Sequence, residues 1–206
     1  MWLGKKCPEY TPSEAQLLLT DFGESFSPLA ENRYNLNCAR AIRPPEVRFG
    51  PAKQPISFSH DIWSFACTIW EIFTDNRLFE LFFFFASVDD ITAAQVIVLG
   101  KMPRELWEKW EAKHEYFSET GEYINPNRKL SSVSWEDRFE KHIQSTWREH
   151  GVAAFGEEEK AAFLDMIRSM LSFRPEEWAT IQGVLNSEWM KKWALPSFEK
   201  YRSGTV

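Results

Sequence analysis

At 206 residues the chain has room for one domain with a sizeable core, or for two small ones. Hydrophobic residues at 44% and aromatics at 16%, ten of them Trp, exclude a disordered chain. A net charge of −6 speaks against direct nucleic-acid binding and leaves room for a basic protein partner.

The three cysteines, Cys7, Cys38 and Cys67, show no paired spacing and read as free intracellular thiols rather than a disulfide or zinc framework. The first residues hold no apolar run of the signal-peptide kind, so the expected location is intracellular, in the cytoplasm or nucleus. The greasiest segment, residues 78–86, is far shorter than the ~20 residues of a membrane helix. It reads as a buried loop or helix start, and no membrane partner is expected.

In chain order, residues 14–20 are apolar and short, a brief strand that runs into a turn at Asp21-Phe22-Gly23. Residues 24–41 are polar and poorly periodic, a loop, and end in the block Arg40-Ala-Ile-Arg43-Pro-Pro45-Glu46-Val. Residues 59–74 form the strongest helix. Ile62, Phe65, Ala66, Ile69, Trp70 and Phe73 share one face, and Trp63 and Cys67 make the helix apolar nearly all round, which predicts burial at the centre of a domain. Ser59 is the expected N-cap, and Asp61 places a carboxylate in the first turn.

A second helix is expected over residues 89–100, opened by Asp89 and Asp90 and stopped by Gly100. Residues 107–117 read as one aromatic, charged helix, 118–134 as a loop, and 135–147 as an amphipathic helix. The acidic run Glu157-Glu158-Glu159 starts a last long helix with clear 3.6 periodicity over 162–171. His60, His114, His142 and His150 show no metal-like clustering and are assigned surface or capping roles. The tryptophans read as core.

Four of these stretches resemble one family. Asp61-Ile-Trp-Ser-Phe-Ala-Cys-Thr-Ile-Trp-Glu-Ile is similar to the buried helix F of eukaryotic protein kinases, on which the lobe below the active site is assembled. Asp21-Phe22-Gly23 resembles the kinase motif whose Asp binds Mg²⁺ on ATP. The Arg40, Arg43, Pro45, Glu46 block resembles the end of the activation segment, in the form closest to the SR-protein-kinase-like branch of the CMGC group and its fungal relatives. Residues 170–190, with Arg174-Pro175, Trp178 and Thr180, are similar to the closing motif of that lobe. Residues 101–107 look like its helix G region.

The resemblance implies a mainly α fold: a protein-kinase-like C-lobe around the buried helix 59–74, with a short strand, the Asp-Phe-Gly turn and an activation segment at its start. It would occupy residues 15–196, between a non-matching segment 1–14 and a tail 197–206. It implies Asp21, Phe22 and Gly23 as cofactor contacts, Asp21 as the Mg²⁺ ligand, and Arg40, Arg43, Pro45 and Glu46 as substrate loop. Asp61, Trp63 and Trp178 would be structural. In the family the Asp matching Asp61 holds the backbone of the catalytic loop.

The same resemblance leaves parts unaccounted for. The Gly-rich loop, the strand lysine and the catalytic-loop Asp and Asn precede Asp-Phe-Gly in the family, and residues 1–20 contain no Asp, Asn or His. The chain as written is therefore expected not to transfer phosphate, and to bind ATP and Mg²⁺ poorly alone. The alternative function is a non-catalytic, pseudokinase-like interaction module docking a partner through the helix G region. A basic, Arg-rich protein substrate suits both the family and the acidic charge. An isolated lobe would expose the apolar face that normally meets the rest of the kinase.

One departure concerns stability. The family pairs the Glu at position 46 with an Arg where this chain has Trp178, so Glu46 must find another cation, take up a proton or reach water. On that basis Trp178→Arg is expected to stabilise. Ala39 and Ile42 also depart from the family pattern and put the substrate-loop geometry in doubt.

Overall fold

The computed structural model describes residues 18–50, 55–74, 76–79, 86–125 and 134–203. The first helices in chain order are α1 (Glu46–Phe49), α2 (Ser59–Phe73), α3 (Val88–Leu99), α4 (Arg104–Trp107) and α5 (Lys113–Tyr116). They are followed by α6 (Trp135–Phe139), α7 (Ser145–Glu149), α8 (Glu157–Ser169), α9 (Ile181–Leu185) and α10 (Leu195–Arg202). Among the described residues the only bridge between extended segments joins Phe117 and Tyr123. The strand expected at 14–20 lies partly outside the described residues, and Leu18 to Thr20 are irregular and exposed.

The main core forms around α2, which buries His60, Ile62, Trp63, Ala66, Cys67 and Trp70. Trp63 stacks on Phe79 at 5.5 Å and lies 5.4 Å from Trp178, while Trp70 meets Trp135 edge-on at 6.0 Å. A large ring removes roughly 150–250 Å² from water, which at about 25 cal/mol per Å² stabilises by roughly 4–6 kcal/mol before conformational entropy is subtracted. Leu78 and Phe79, the described start of the greasy segment, are both buried, and residues 80–85 lie outside the described residues.

Two expectations about α2 are corrected. Phe58, not Ser59, occupies the cap position and makes no side-chain capping bond. The Ser59 hydroxyl instead pairs with the Ser57 hydroxyl at 2.6 Å. Phe65 faces solvent, because the buried arc centres on Trp63, Cys67 and Trp70 and leaves Phe65 on the opposite side.

Against this core lies α8, with Gly156 at its cap, three glutamates in its first turn and Phe163, Leu164, Met166 and Ile167 buried. The expected helix at 135–147 forms as α6 and α7, joined without a break by a π turn over Glu140–Gln144. A second π turn, Met190–Ala194, leads into α10, which continues to Arg202.

A second cluster packs Phe49 with Ala93, Val96, Met102, Trp110, Tyr116, Phe117 and Phe173. Here α3 starts with a capping box: Ser87 Oγ accepts from the Asp90 N–H at 3.1 Å, and Asp90 Oδ2 accepts from the Ser87 N–H at 2.7 Å. It stops at Gly100, whose φ of 88° favours glycine and whose N–H donates to the Val96 carbonyl at 2.9 Å. The single helix expected over 107–117 is instead the two short helices α4 and α5. Trp110, between them, turns inward and donates its indole N–H to Asp89 at 2.6 Å. That buried anchor outweighs the helical propensity of the exposed residues around it.

Candidate functional site

Asp21 opens the 3₁₀ turn Phe22–Glu24 from a left-handed backbone, with φ 65° and ψ 54°. Asp tolerates this region better than most residues, since its short polar side chain bonds locally. Ser25 holds the turn by donating its N–H (3.1 Å) and its hydroxyl (2.7 Å) to the Phe22 carbonyl. Asp21, Phe22 and Gly23 are all exposed. One carboxylate beside open water could supply one ligand to Mg²⁺, an ion that keeps several waters and is held mostly by substrate phosphates. No group of three or more His, Cys, Asp or Glu side chains with metal-binding geometry occurs among the described residues. By themselves, the described residues therefore do not fit Mg²⁺·ATP.

The Arg40–Glu46 block is built more firmly. Its 3₁₀ turn, Arg40–Ile42, tucks Ala41 inside, and the Arg43 guanidinium donates to the carbonyls of Leu36 (3.3 Å) and Cys38 (3.4 Å). Buried Gln95 of α3 donates to the Arg43 carbonyl at 2.9 Å, which fastens the block to α3. Arg48 of α1 reaches the same helix, donating to Asp89 and to the Thr92 hydroxyl, both at 2.6 Å. Arg40, Arg43, Pro45, Arg48 and Gln95 thus border one shallow cleft between the block and α3.

Asp89 is the joint of this arrangement, since it accepts from both Arg48 and the buried Trp110. Asp89→Ala would leave the buried Trp110 indole N–H unpaired and take from Arg48 its carboxylate, leaving the guanidinium only the Thr92 hydroxyl and the Val88 carbonyl. The expected loss is about 2–3 kcal/mol, measured by urea unfolding. A loss below ~0.5 kcal/mol would show that the joint carries no stability.

Glu46 lies beneath this surface. Its side chain is 7% exposed and that of His60 is 5% exposed, and Glu46 Oε1 stands 3.2 Å from His60 Nε2. The two are close enough for charge to be felt but poorly aligned, so neither Glu46 oxygen accepts a hydrogen bond. Burial pushes the Glu46 carboxyl up to about 7. Burial also pulls His60 below its ordinary value, against the smaller opposing pulls of the Ser57 backbone and the Asp61 carboxylate. His60 Nδ1 lies 3.2 Å from both the N–H and the carbonyl of Ser57. Trp178 closes the other side of the pair, edge-on to His60 at 6.5 Å, with its N–H donated to the Ser172 carbonyl at 2.9 Å.

The structure thus sets Glu46 beside His60, which meets Trp178 and through it Trp63, places Arg43 and Pro45 at the cleft with α3, and leaves Asp21, Phe22, Gly23 and Arg40 exposed. Asp61 is exposed at the start of α2. Of the surface or capping roles assigned to His60, the surface one is corrected: it is buried beside Glu46, while its Nδ1 lies 3.2 Å from the Ser57 N–H at the start of α2. Its place in the sequence carried the signal, because positions 60, 63, 67 and 70 follow the i, i+3, i+7 spacing of the arc that holds Trp63. His142 is corrected as well, since it is buried and its Nδ1 lies 3.0 Å from the side-chain nitrogen of Asn76. His114 and His150 are exposed, as expected.

The site consists of an exposed Asp21-Phe22-Gly23 turn, a Pro-Glu block beside the buried helix α2, and Trp178 packed against Trp63 and His60. The chain resembles the C-terminal part of the SR-protein-kinase-like kinases. It is 28% identical over 174 residues to the serine/threonine-protein kinase SKY1 of Saccharomyces cerevisiae, covering 81% of this chain and 22% of that protein. To the serine/threonine-protein kinase SRPK of Physarum polycephalum it is 29% identical over 159 residues, 73% of this chain and 33% of the relative. With the protein kinase dsk1 of Schizosaccharomyces pombe it shares 27% over 169 residues, 81% of this chain and 28% of the relative. No family model matches the chain. The chain therefore spans about a fifth to a third of the length of these relatives. The mostly helical structure agrees with a kinase C-lobe.

Proposed function

We propose that the chain is the C-lobe portion of a serine/threonine protein kinase domain, and that as the isolated 206-residue chain it does not transfer phosphate. The supporting observation is the contrast between its two ends: a Pro-Glu block anchored at Arg43, Gln95 and Arg48, and an Asp21 that stands alone in solvent. In a complete kinase, Asp21 would hold Mg²⁺ on ATP, while Arg40 and Arg43 would shape the loop that meets the substrate. The net charge of −6 suits a basic, Arg-rich protein substrate. No described helix is long and apolar enough to cross a membrane.

A second reading, a non-catalytic module that binds a partner protein, draws on the same anchored surface and needs no nucleotide. Calorimetric titration with Mg²⁺·ATP, followed by a phosphotransfer assay on an Arg/Ser-repeat peptide, separates the two. The proposal expects no phosphotransfer and no nucleotide binding tighter than about 1 mM. Turnover by this chain would refute the inactive state. Tight peptide capture without nucleotide would favour the binding module.

A further inference from the structure

The stretch from Arg43 to Phe49 is fixed at both ends by amide, guanidinium and ammonium donors, whose charge does not change near neutral pH. At one end Gln95 donates to the Arg43 carbonyl at 2.9 Å. At the other, Arg48 is bonded to Asp89 and Thr92, and Lys109 donates to the Phe49 carbonyl at 2.8 Å. Between these points Pro44, Pro45 and Glu46 are buried and Val47 is exposed. Pro44 and Pro45 form one wall of the cleft with α3. Glu46 is what this stretch sets against α2, beside His60 at 3.2 Å.

That contact tolerates a proton on Glu46 and does not tolerate its loss. Both carboxyl oxygens are buried and neither accepts a hydrogen bond, a cost that rises steeply when the group becomes a carboxylate. No permanent cation faces it. From α2 it meets His60, whose burial favours the neutral ring, and the neighbouring Asp61 is exposed and of the wrong sign. On α3, Asp89 and Asp90 are of the wrong sign too and are engaged by Arg48, Trp110, Ser87 and Tyr116. The closing segment presents the uncharged Trp178, and its Arg174 is bonded to Glu105 and Glu177. Arg43 is taken up by the carbonyls of Leu36 and Cys38.

We propose that Pro44–Val47 is a proton-gated latch: it lies closed on α2 while Glu46 is protonated, and bows outward when Glu46 ionises, opening the Pro44–Pro45 wall of the cleft while the Gln95 and Arg48 anchors hold. Its effect on a substrate rests on the kinase reading of this block; the motion itself does not. Closed, Glu46 keeps its proton up to about pH 7, whereas in water a carboxyl of its kind titrates near 4.5. Opening therefore sheds a proton between those values. It is favoured as the pH rises, by at most about tenfold per unit, and levels off above about 7. His60, freed by the same motion, opposes this below about 6.5. The ratio of wild type to Glu46→Gln removes that contribution, because both keep His60.

Amide hydrogen exchange on the full 206-residue chain, followed by NMR and corrected for intrinsic exchange rates, tests the latch. The reporters are the Phe49 and Gly50 N–H groups, bonded to the Pro45 and Glu46 carbonyls at 3.1 and 2.7 Å, since those acceptors move when the latch opens. Their opening constant, wild type over Glu46→Gln, should rise at least about tenfold from pH 5.5 to 7 and stay flat from 7 to 8. Opening of four residues exposes little surface, so the reporters should ignore urea up to about 1 M, while buried amides of α2 and α8 respond to it. A ratio that does not change with pH overturns the proposal. So do reporters that exchange at the rate and with the urea dependence of the α2 amides, because the block then leaves only with the whole fold. Should Glu46→Gln lose helical circular dichroism, Glu46→Met takes its place. The readout needs neither nucleotide nor substrate, so its failure leaves the kinase reading standing, and phosphotransfer by the chain would leave the latch standing.

Discussion

Replacing His60 by Phe is expected to steepen the loss of stability with rising pH, leaving unopposed the fall of roughly 3 kcal/mol that Glu46 contributes between pH 4.5 and 7. Glu46 has a folded value of about 7 against an ordinary 4.5. A raised carboxyl costs nothing below its unfolded value. Stability is then lost as the pH climbs from 4.5 to 7, because the unfolded chain releases a proton that the folded chain keeps. His60 is shifted the other way, below an ordinary 6.5. Its cost is absent above pH 6.5 and grows as the pH falls, because the unfolded chain gains a proton that the folded chain refuses. Below pH 6.5 unfolding therefore releases a proton at Glu46 and takes one up at His60, so the two slopes oppose each other.

His60→Phe removes the compensating group and leaves the slope of Glu46. Glu46→Gln does the reverse and should lose stability as the pH falls below 6.5. Urea unfolding across pH 4.5–8, taken as the difference from wild type, reads both slopes free of titrations elsewhere. Two variants that stay parallel to wild type would show that the buried pair does not titrate as a unit.

The second large effect is expected at Trp178. The family pairing argument alone predicts that Trp178→Arg stabilises, but the structure adds an opposing cost. Trp178 is buried against Trp63 at 5.4 Å and bonded to the Ser172 carbonyl, and truncating such a ring costs about 3–5 kcal/mol. An arginine recovers part of that with its stem and offers Glu46 a permanent cation. The cation helps most where Glu46 is ionised, at pH 7 and above, and least where it is protonated. Trp178→Arg should therefore melt about 4–8 °C below wild type near pH 5, with the deficit closing as the pH approaches 8. Melting curves at the two pH values decide it. A deficit that does not narrow would mean that the guanidinium never reaches Glu46.

The sequence by itself determined the helical class, the order of the motifs and the identity of the central helix. Each is a local property: apolar spacing around Trp63 and Trp70, the Asp89/Asp90 start and Gly100 stop of α3, and the acidic start of α8 all act within one or two turns. The likeness of four ordered stretches to one kinase branch was legible for the same reason. Tertiary structure alone decided that Glu46 is buried beside His60, because the two meet only when α1 docks on α2, and that burial rather than a cation governs its charge. It also decided that Phe65 turns outward and that residues 107–117 break at Trp110, whose partner Asp89 sits on another helix. Spacing can show which residues share a face. Which face is buried, and which buried charge has a partner, depends on the desolvation cost of groups brought together from distant parts of the chain.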